Sequence, residues 1–211
     1  MSDNKNRPAI SGPEQIIEMV SAFQKSRIIL TAFELDLFSV LGKERKTSGE
    51  VATAVGTDPR GTDRLLNALC ALGFLDKEHD RFMNTDISLR YLARDSADYL
   101  SRIGHSLNLY RSWGSLTAAV KAGTTVLARE YDPVSLGHFI EAMHHRAKKT
   151  ADLLVSHVDL AGVKRVLDVG GGSGVYSMAF VRAKQGLQAV VFDLPKEIGR
   201  ASCRERVLRL V

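Results

Sequence analysis

A short apolar run, Val166-Leu167-Asp168-Val169, opens directly onto Gly170-Gly171-Gly172-Ser173-Gly174. A strand that ends in so many glycines can turn sharply and bring backbone N–H groups against a ligand at the N-terminus of the next helix. Asp193 ends a second apolar run, Ala189-Val190-Val191-Phe192, 19 residues beyond Gly174. A carboxylate in that place can accept hydrogen bonds from both hydroxyls of a ribose. Asp168, Gly170, Gly172, Gly174 and Asp193 are therefore the candidate binding residues, and the ligand they suit contains a nucleoside. Neighbouring motifs fail on single residues. The dinucleotide pattern G-x-G-x-x-G and the G-x-S-x-G nucleophile elbow both need a small residue where the chain has Val175, and no Lys-Ser or Lys-Thr follows the glycines as a P-loop requires. Ser173 reads as a helix cap.

Such residues need a strand–helix–strand crossover to hold them. The sequence predicts strands at Val166–Val169 and Ala189–Phe192, a helix from Val175 to Ala183, and hence a parallel pair. Upstream the chain is helical. Apolar residues at three-to-four spacing predict two helices between Pro13 and Leu41, a short helix capped by Ser48 and stopped at Gly56, and a helix opened by Asp58-Pro59 and ended at Gly73. Phe74-Leu75-Asp76 and Arg81-Phe82-Met83 around a polar turn predict a hairpin. Helix, turn, helix and hairpin together read as a winged helix. Helices follow through Leu89 and Leu92, Leu100 to Trp113, and Leu116 to Val120, then a loop through Tyr131-Asp132-Pro133. One long helix, about Leu136 to His157, carries Phe139, Met143, Ala147, Ala151 and Leu154 on one stripe.

The expected organisation is a winged-helix domain at 13–100, a helical connector at 101–160 that contributes to the pocket, and the first βαβ unit of a second domain at 161–196. A winged helix raises the alternative of a DNA-binding transcriptional regulator, which would present several basic residues on its recognition helix. Between Pro59 and Gly73 only Arg60 and Arg64 are basic, Asp63 lies between them, and the leucines favour packing, so a subunit contact is preferred to nucleic acid. His138, His144, His145 and His157 crowd one stretch without the H-E-x-x-H spacing, and no metal is expected.

Composition agrees with a globular chain: 211 residues, 45% hydrophobic and 25% charged. No apolar run approaches the roughly 20 residues of a spanning helix, and Met1-Ser-Asp-Asn-Lys-Asn-Arg-Pro8 has no apolar stretch, so a cytoplasmic protein with no membrane partner is expected. Cys70 and Cys203 make no metal or disulfide framework. The tail at 197–211 shows no periodicity and matches a reading frame of a common sequencing adapter. It is expected to be an artefact that follows a gene cut short. Setting aside its four arginines and two glutamates lowers the formal net charge from +5 to +3.

The acid and alternating glycines, Asp168, Gly170, Gly172 and Gly174, resemble the first motif of S-adenosylmethionine-dependent methyltransferases. With Phe192-Asp193-Leu194-Pro195 behind a winged-helix region, the chain resembles the dimeric O-methyltransferases that include plant phenolic, hydroxyindole and bacterial polyketide enzymes. Further matches are Leu65-Leu66-Asn67-Ala68-Leu69 with Gly73-Phe74-Leu75, Trp113-Gly114-Ser115-Leu116, and Phe139-Ile140-Glu141-Ala142-Met143. The resemblance implies a mainly α winged-helix dimerisation domain followed by an incomplete α/β Rossmann-like methyltransferase domain. It implies S-adenosyl-L-methionine as cofactor, with Gly170 and Asp193 as contacts, Trp113, Phe139 and Met143 as pocket candidates, and a homodimer acting on a small phenolic or polyketide-like acceptor. The family's general-base histidine falls beyond position 196, so no catalytic residue is assigned and the chain as written is expected to be inactive.

Overall fold

Helix starts and stops in the first hundred residues are set by capping residues and left-handed turns. The computed structural model describes residues 10–127, 133–193 and 207–210, and the chain divides into two compact units, Met1–Leu100 and Ser101–Val211. The first unit runs α1 (Pro13–Ser21), α2 (Phe23–Glu34), α3 (Leu37–Leu41), β1 (Lys46–Thr47), α4 (Ser48–Val55), α5 (Pro59–Ala71), β2 (Leu75–Glu78), β3 (Arg81–Asn84) and α6 (Asp86–Leu92). Where two helices are expected before Leu41 there are three, because Asp36 takes a left-handed conformation at φ 56° and its carboxylate accepts a 2.6 Å bond from Ser39 Oγ. The cap of α4 is Thr47 and not Ser48. A capping box needs an acid three residues after the cap, and Glu50 stands in that relation to Thr47. Its carboxyl is held below the usual range by hydrogen bonds from the Thr47 backbone and hydroxyl.

The three antiparallel strands take the order β1-β3-β2, with the β2–β3 hairpin turning at His79-Asp80. Phe38, Leu41, Val51, Leu66, Leu69 and Phe82 form the buried core. Asn84 is buried among them because its amide donates to the carbonyls of Phe38 at 2.8 Å and Gly42 at 2.9 Å, tying the hairpin to α3. By contrast α1 buries none of its residues: Ile17, Met19 and Val20 are 67%, 68% and 66% exposed.

The second unit comprises α7 (Ile103–Gly114), α8 (Leu116–Ala122), α9 (Pro133–Lys148), α10 (Ala151–Ser156), β4 (Arg165–Val169), α11 (Val175–Ala183), β5 (Gln188–Phe192) and β6 (Val207–Leu210). The expected loop residues Tyr131 and Asp132 lie outside the described residues. The long helix expected from Leu136 to His157 is two helices, α9 and α10, broken at Thr150, whose N–H turns back to the Ala147 carbonyl at 3.0 Å. His157 then donates to the Leu153 carbonyl at 2.8 Å and closes α10. α7 and α9 approach closely at Gly104, where a Cβ would meet the His138 ring at 2.0 Å.

β4, β5 and β6 form a parallel sheet in that order. The sequence reading places no element after Phe192. The backbone of Val207–Leu210 pairs with the edge of β5, a row of N–H and C=O groups that readily takes a further strand. α10 and α11 share a core of Ala151, Val155, Val175 and Ala179. Residues such as Asp168 and Val191 lie on the α11 side of the sheet, while on the other side Leu167 and Val169 are 62% and 69% exposed. Parallel sheets are ordinarily covered on both faces. No helix among the described residues is long and apolar enough to cross a membrane.

Candidate functional site

The register of the parallel pair brings the site residues to one edge. Val169 stands opposite Phe192, so β4 and β5 end level. The next residue of β4's chain, Gly170, donates its N–H to the Phe192 carbonyl at 2.7 Å and turns away at φ 73°. Two residues on, Gly172 at φ 50° aims its N–H at Asp193 Oδ2, 2.6 Å away. Both glycines occupy a backbone region that other residues rarely adopt. Gly174 is the N-cap of α11.

Gly171 has a different constraint. A Cβ there would lie 2.8 Å from both Asp168 Cγ and Val191 Cγ1, so the loop lies directly on the two strands because this residue has no side chain. Beneath it Asp168 is held by the fully buried Ser177, whose hydroxyl donates to Oδ2 at 2.7 Å. Ser173 does not cap the helix as expected. Its hydroxyl is paired with His144 Nδ1 of α9 at 3.0 Å, and α11 starts without a side-chain cap. Burial, and secondarily the Lys148 charge, hold the His144 imidazole below its usual pKa range, against an opposing effect of Glu141.

A cavity of about 270 Å³ lies between this loop and α9. Its lining is Asp168, Gly170, Gly171, Gly172 and Ser173 on the loop side, Phe139, Ile140, Met143 and Ala147 on α9, and Val175 and Tyr176 at the start of α11. The structure thus brings together Asp168, Gly170, Gly172, Phe139 and Met143, with Asp193 joined through Gly172. Trp113 is not part of this group: it lies on α7, 69% exposed. Sequence reasoning missed Gly171, Ser177, Ile140, Tyr176 and the His144–Ser173 pair. The i, i+4 stripe of Phe139, Met143 and Ala147 already marked the α9 wall, whereas nothing local marks Ser177 as the partner of Asp168. Among the described residues no group of three or more His, Cys, Asp or Glu is placed to hold a metal ion.

A winged-helix unit followed by a crossover with an acid–glycine loop and a second acid defines a class, and family comparisons identify it. Residues 17–94 match the O-methyltransferase dimerisation domain and residues 118–208 the O-methyltransferase domain. The chain belongs to this family of S-adenosylmethionine-dependent O-methyltransferases. It is 30% identical to the tetracenomycin polyketide synthesis 8-O-methyl transferase TcmO of Streptomyces glaucescens, over 89% of this chain and 58% of that protein. It is 29% identical to the 3-hydroxy-5-methyl-1-naphthoate 3-O-methyltransferase of Streptomyces sahachiroi, over 89% of this chain and 57% of the relative. Among solved structures, an O-methyltransferase family protein from Burkholderia thailandensis superposes with a TM-score of 0.72 at 27% identity, covering 90% of this chain and 58% of that one. The chain therefore spans somewhat over half the length of these relatives. The match of residues 17–94 to a dimerisation domain lends no support to the DNA-binding alternative.

The packing at Gly171 yields a sharp expectation. Gly171→Ala should destabilise the second unit by about 1–3 kcal/mol through overpacking against Asp168 and Val191, read as a lowered urea midpoint with unchanged slope. An unchanged midpoint would show that the loop lifts from the strands at no cost.

Proposed function

We propose that these residues form the cofactor-binding part of an enzyme that transfers a methyl group from S-adenosyl-L-methionine to the hydroxyl of a small phenolic, hydroxylated aromatic or polyketide-like acceptor, with S-adenosylhomocysteine leaving and the hydroxyl proton passing to a general base that is assigned to no residue of this chain. The observation that carries this is the cavity bounded by the Asp193-tied glycine loop on one side and the apolar wall of α9 on the other. The residues present suit the cofactor. A Cβ at Gly170 would meet no atom within 4 Å, so this lining residue leaves space beside backbone that a ligand can approach. The walls offer Phe139 and Tyr176 rings and the Asp168 carboxylate, surroundings that favour a sulfonium cation. When bound, the cofactor supplies an electrophilic methyl group.

The chain's own residues position. In this reading Asp193, its Oδ2 fixed by the Gly172 N–H, accepts from the ribose hydroxyls, and Gly170, Gly172 and Gly174 shape the loop that carries the nucleoside. Asp168, anchored by Ser177, faces the cationic end. Phe139 and Met143 on α9 exclude water from that side, which strengthens the electrostatics within the cleft. The acceptor class rests on the names of the polyketide and naphthoate relatives. Cytoplasmic work goes with this reading.

The protein is proposed to act as a homodimer through residues 13–100. The support is the dimerisation-domain match together with α1, whose apolar residues find no cover among the described residues. A two-fold axis would let the stripe cover itself.

Two measurements follow. In calorimetric titrations with S-adenosylhomocysteine, Asp193→Ala should lose two charge-assisted hydrogen bonds, about 3 kcal/mol or roughly a hundredfold in affinity, and Gly172→Val should bind no better. Unchanged affinity in both variants would remove the cofactor assignment. In sedimentation at micromolar concentration the protein should run as a dimer, and Phe23→Asp, at a position 52% exposed in the single chain, should shift it to monomer. A monomer before substitution would contradict the dimer.

A further inference from the structure

The glycine loop is gripped from two sides. On the sheet side its backbone is tied through Gly170 N–H to the Phe192 carbonyl and through Gly172 N–H to Asp193. From α9 the grip is a side-chain pair, His144 Nδ1 to Ser173 Oγ at 3.0 Å. Ser173 sits between two glycines at positive φ, Gly172 and Gly174, so the segment it belongs to has unusual backbone freedom to lose. His144 sits between Met143 and Ala147 on α9, and both of those line the cavity. The pair therefore spans the cleft edge from one wall to the other.

We propose that His144 is a positioning residue, which through its hydrogen bond to Ser173 holds the glycine loop at a fixed distance from α9 and so sets the width of the cofactor cleft. The proposal rests on the reading of that cleft as the S-adenosylmethionine site. Burial and the Lys148 charge favour the neutral ring, in which Nδ1 either accepts the Ser173 hydroxyl proton or donates to its oxygen. Asparagine places an amide oxygen or nitrogen near the same position, so it can make either bond. Alanine can make neither. Thr150 Oγ1, in the break that follows α9, and Tyr176 Oη of α11 are 3.4 Å apart and form a second, weaker link, so loss of His144 should loosen the loop without detaching the C-terminal end of α9 from α11.

The test uses the full chain and four variants: His144→Ala, Ser173→Ala, the double variant and His144→Asn. Amide exchange at Gly172, Ser173 and Gly174 is followed without ligand, and S-adenosylhomocysteine is titrated by calorimetry. Each alanine variant should lose about fivefold in affinity, the worth of one net hydrogen bond, and the double variant no more than either single one. His144→Asn should restore both affinity and exchange protection, whereas His144→Ala should exchange faster at the three loop amides. Additive losses in the double variant, or loop exchange that is the same in all variants, would overturn the proposal. Failure of the unsubstituted chain to bind S-adenosylhomocysteine overturns the cofactor reading itself. Binding that is present but indifferent to His144→Ala overturns the positioning role alone.

Discussion

The parallel pairing of β4 with β5 is the constraint on which the site depends. Because Val169 faces Phe192, the two strands finish level, and the residues that follow them, Gly170 and Asp193, emerge side by side at one edge of the sheet. A register shifted by one residue would separate the loop from the carboxylate and turn Asp168 to the opposite face. The remaining features follow from this edge. The loop must fold back over the strand ends, which Gly171 permits by having no side chain to strike Asp168 or Val191. α11 must then pack on the same face, and Val175 and Ala179 meet Ala151 and Val155 of α10 there.

Long-range polar contacts complete what the sheet begins. Ser177 turns an otherwise costly half-buried carboxylate into a bonded one, since a buried charge without partners loses its hydration uncompensated. On the far wall α9 supplies apolar bulk from Phe139, Ile140, Met143 and Ala147, so the cleft combines a fixed carboxylate with low polarity. That combination suits a cationic sulfonium better than it suits a phosphate, which would seek positive charge. The domain match over residues 118–208 and the geometry of this cleft therefore point in the same direction from independent grounds.

Much of this was legible in the residues. The spacing of Asp168, Gly170, Gly172 and Gly174 against Asp193 follows from local chemistry, and so do the crossover, the hairpin and the stripe of α9. What escaped depended on partners distant in the chain or on cooperative capping. Thr47 outcompetes Ser48 because Glu50 completes its capping box. The expected single helix breaks into α9 and α10 at Thr150, and the break turns the buried face of α10 to Ala151 and Val155 and leaves Leu154, the last residue of the expected stripe, 47% exposed, because periodicity reports a face and not the continuity of the backbone. The helix that follows makes Ser173 read as a cap, whereas His144, 29 residues earlier, claims its hydroxyl. Ser177 carries no local signal, and Gly171 is marked only as one of a run of glycines, since the packing roles of both exist only once β4, β5 and α11 are stacked.

Backbone amide shifts of the isotopically labelled chain, followed during titration with S-adenosylhomocysteine, test most directly that the glycine loop and Asp193 form one ligand site. The expected result is saturable movement of the Gly170, Gly171, Gly172, Ser173, Gly174 and Asp193 amides together with those of Phe139 and Met143, while the amides of residues 10–100 stay in place. Saturable shifts confined to other residues, or equal displacement of the loop amides by a dinucleotide, would contradict it.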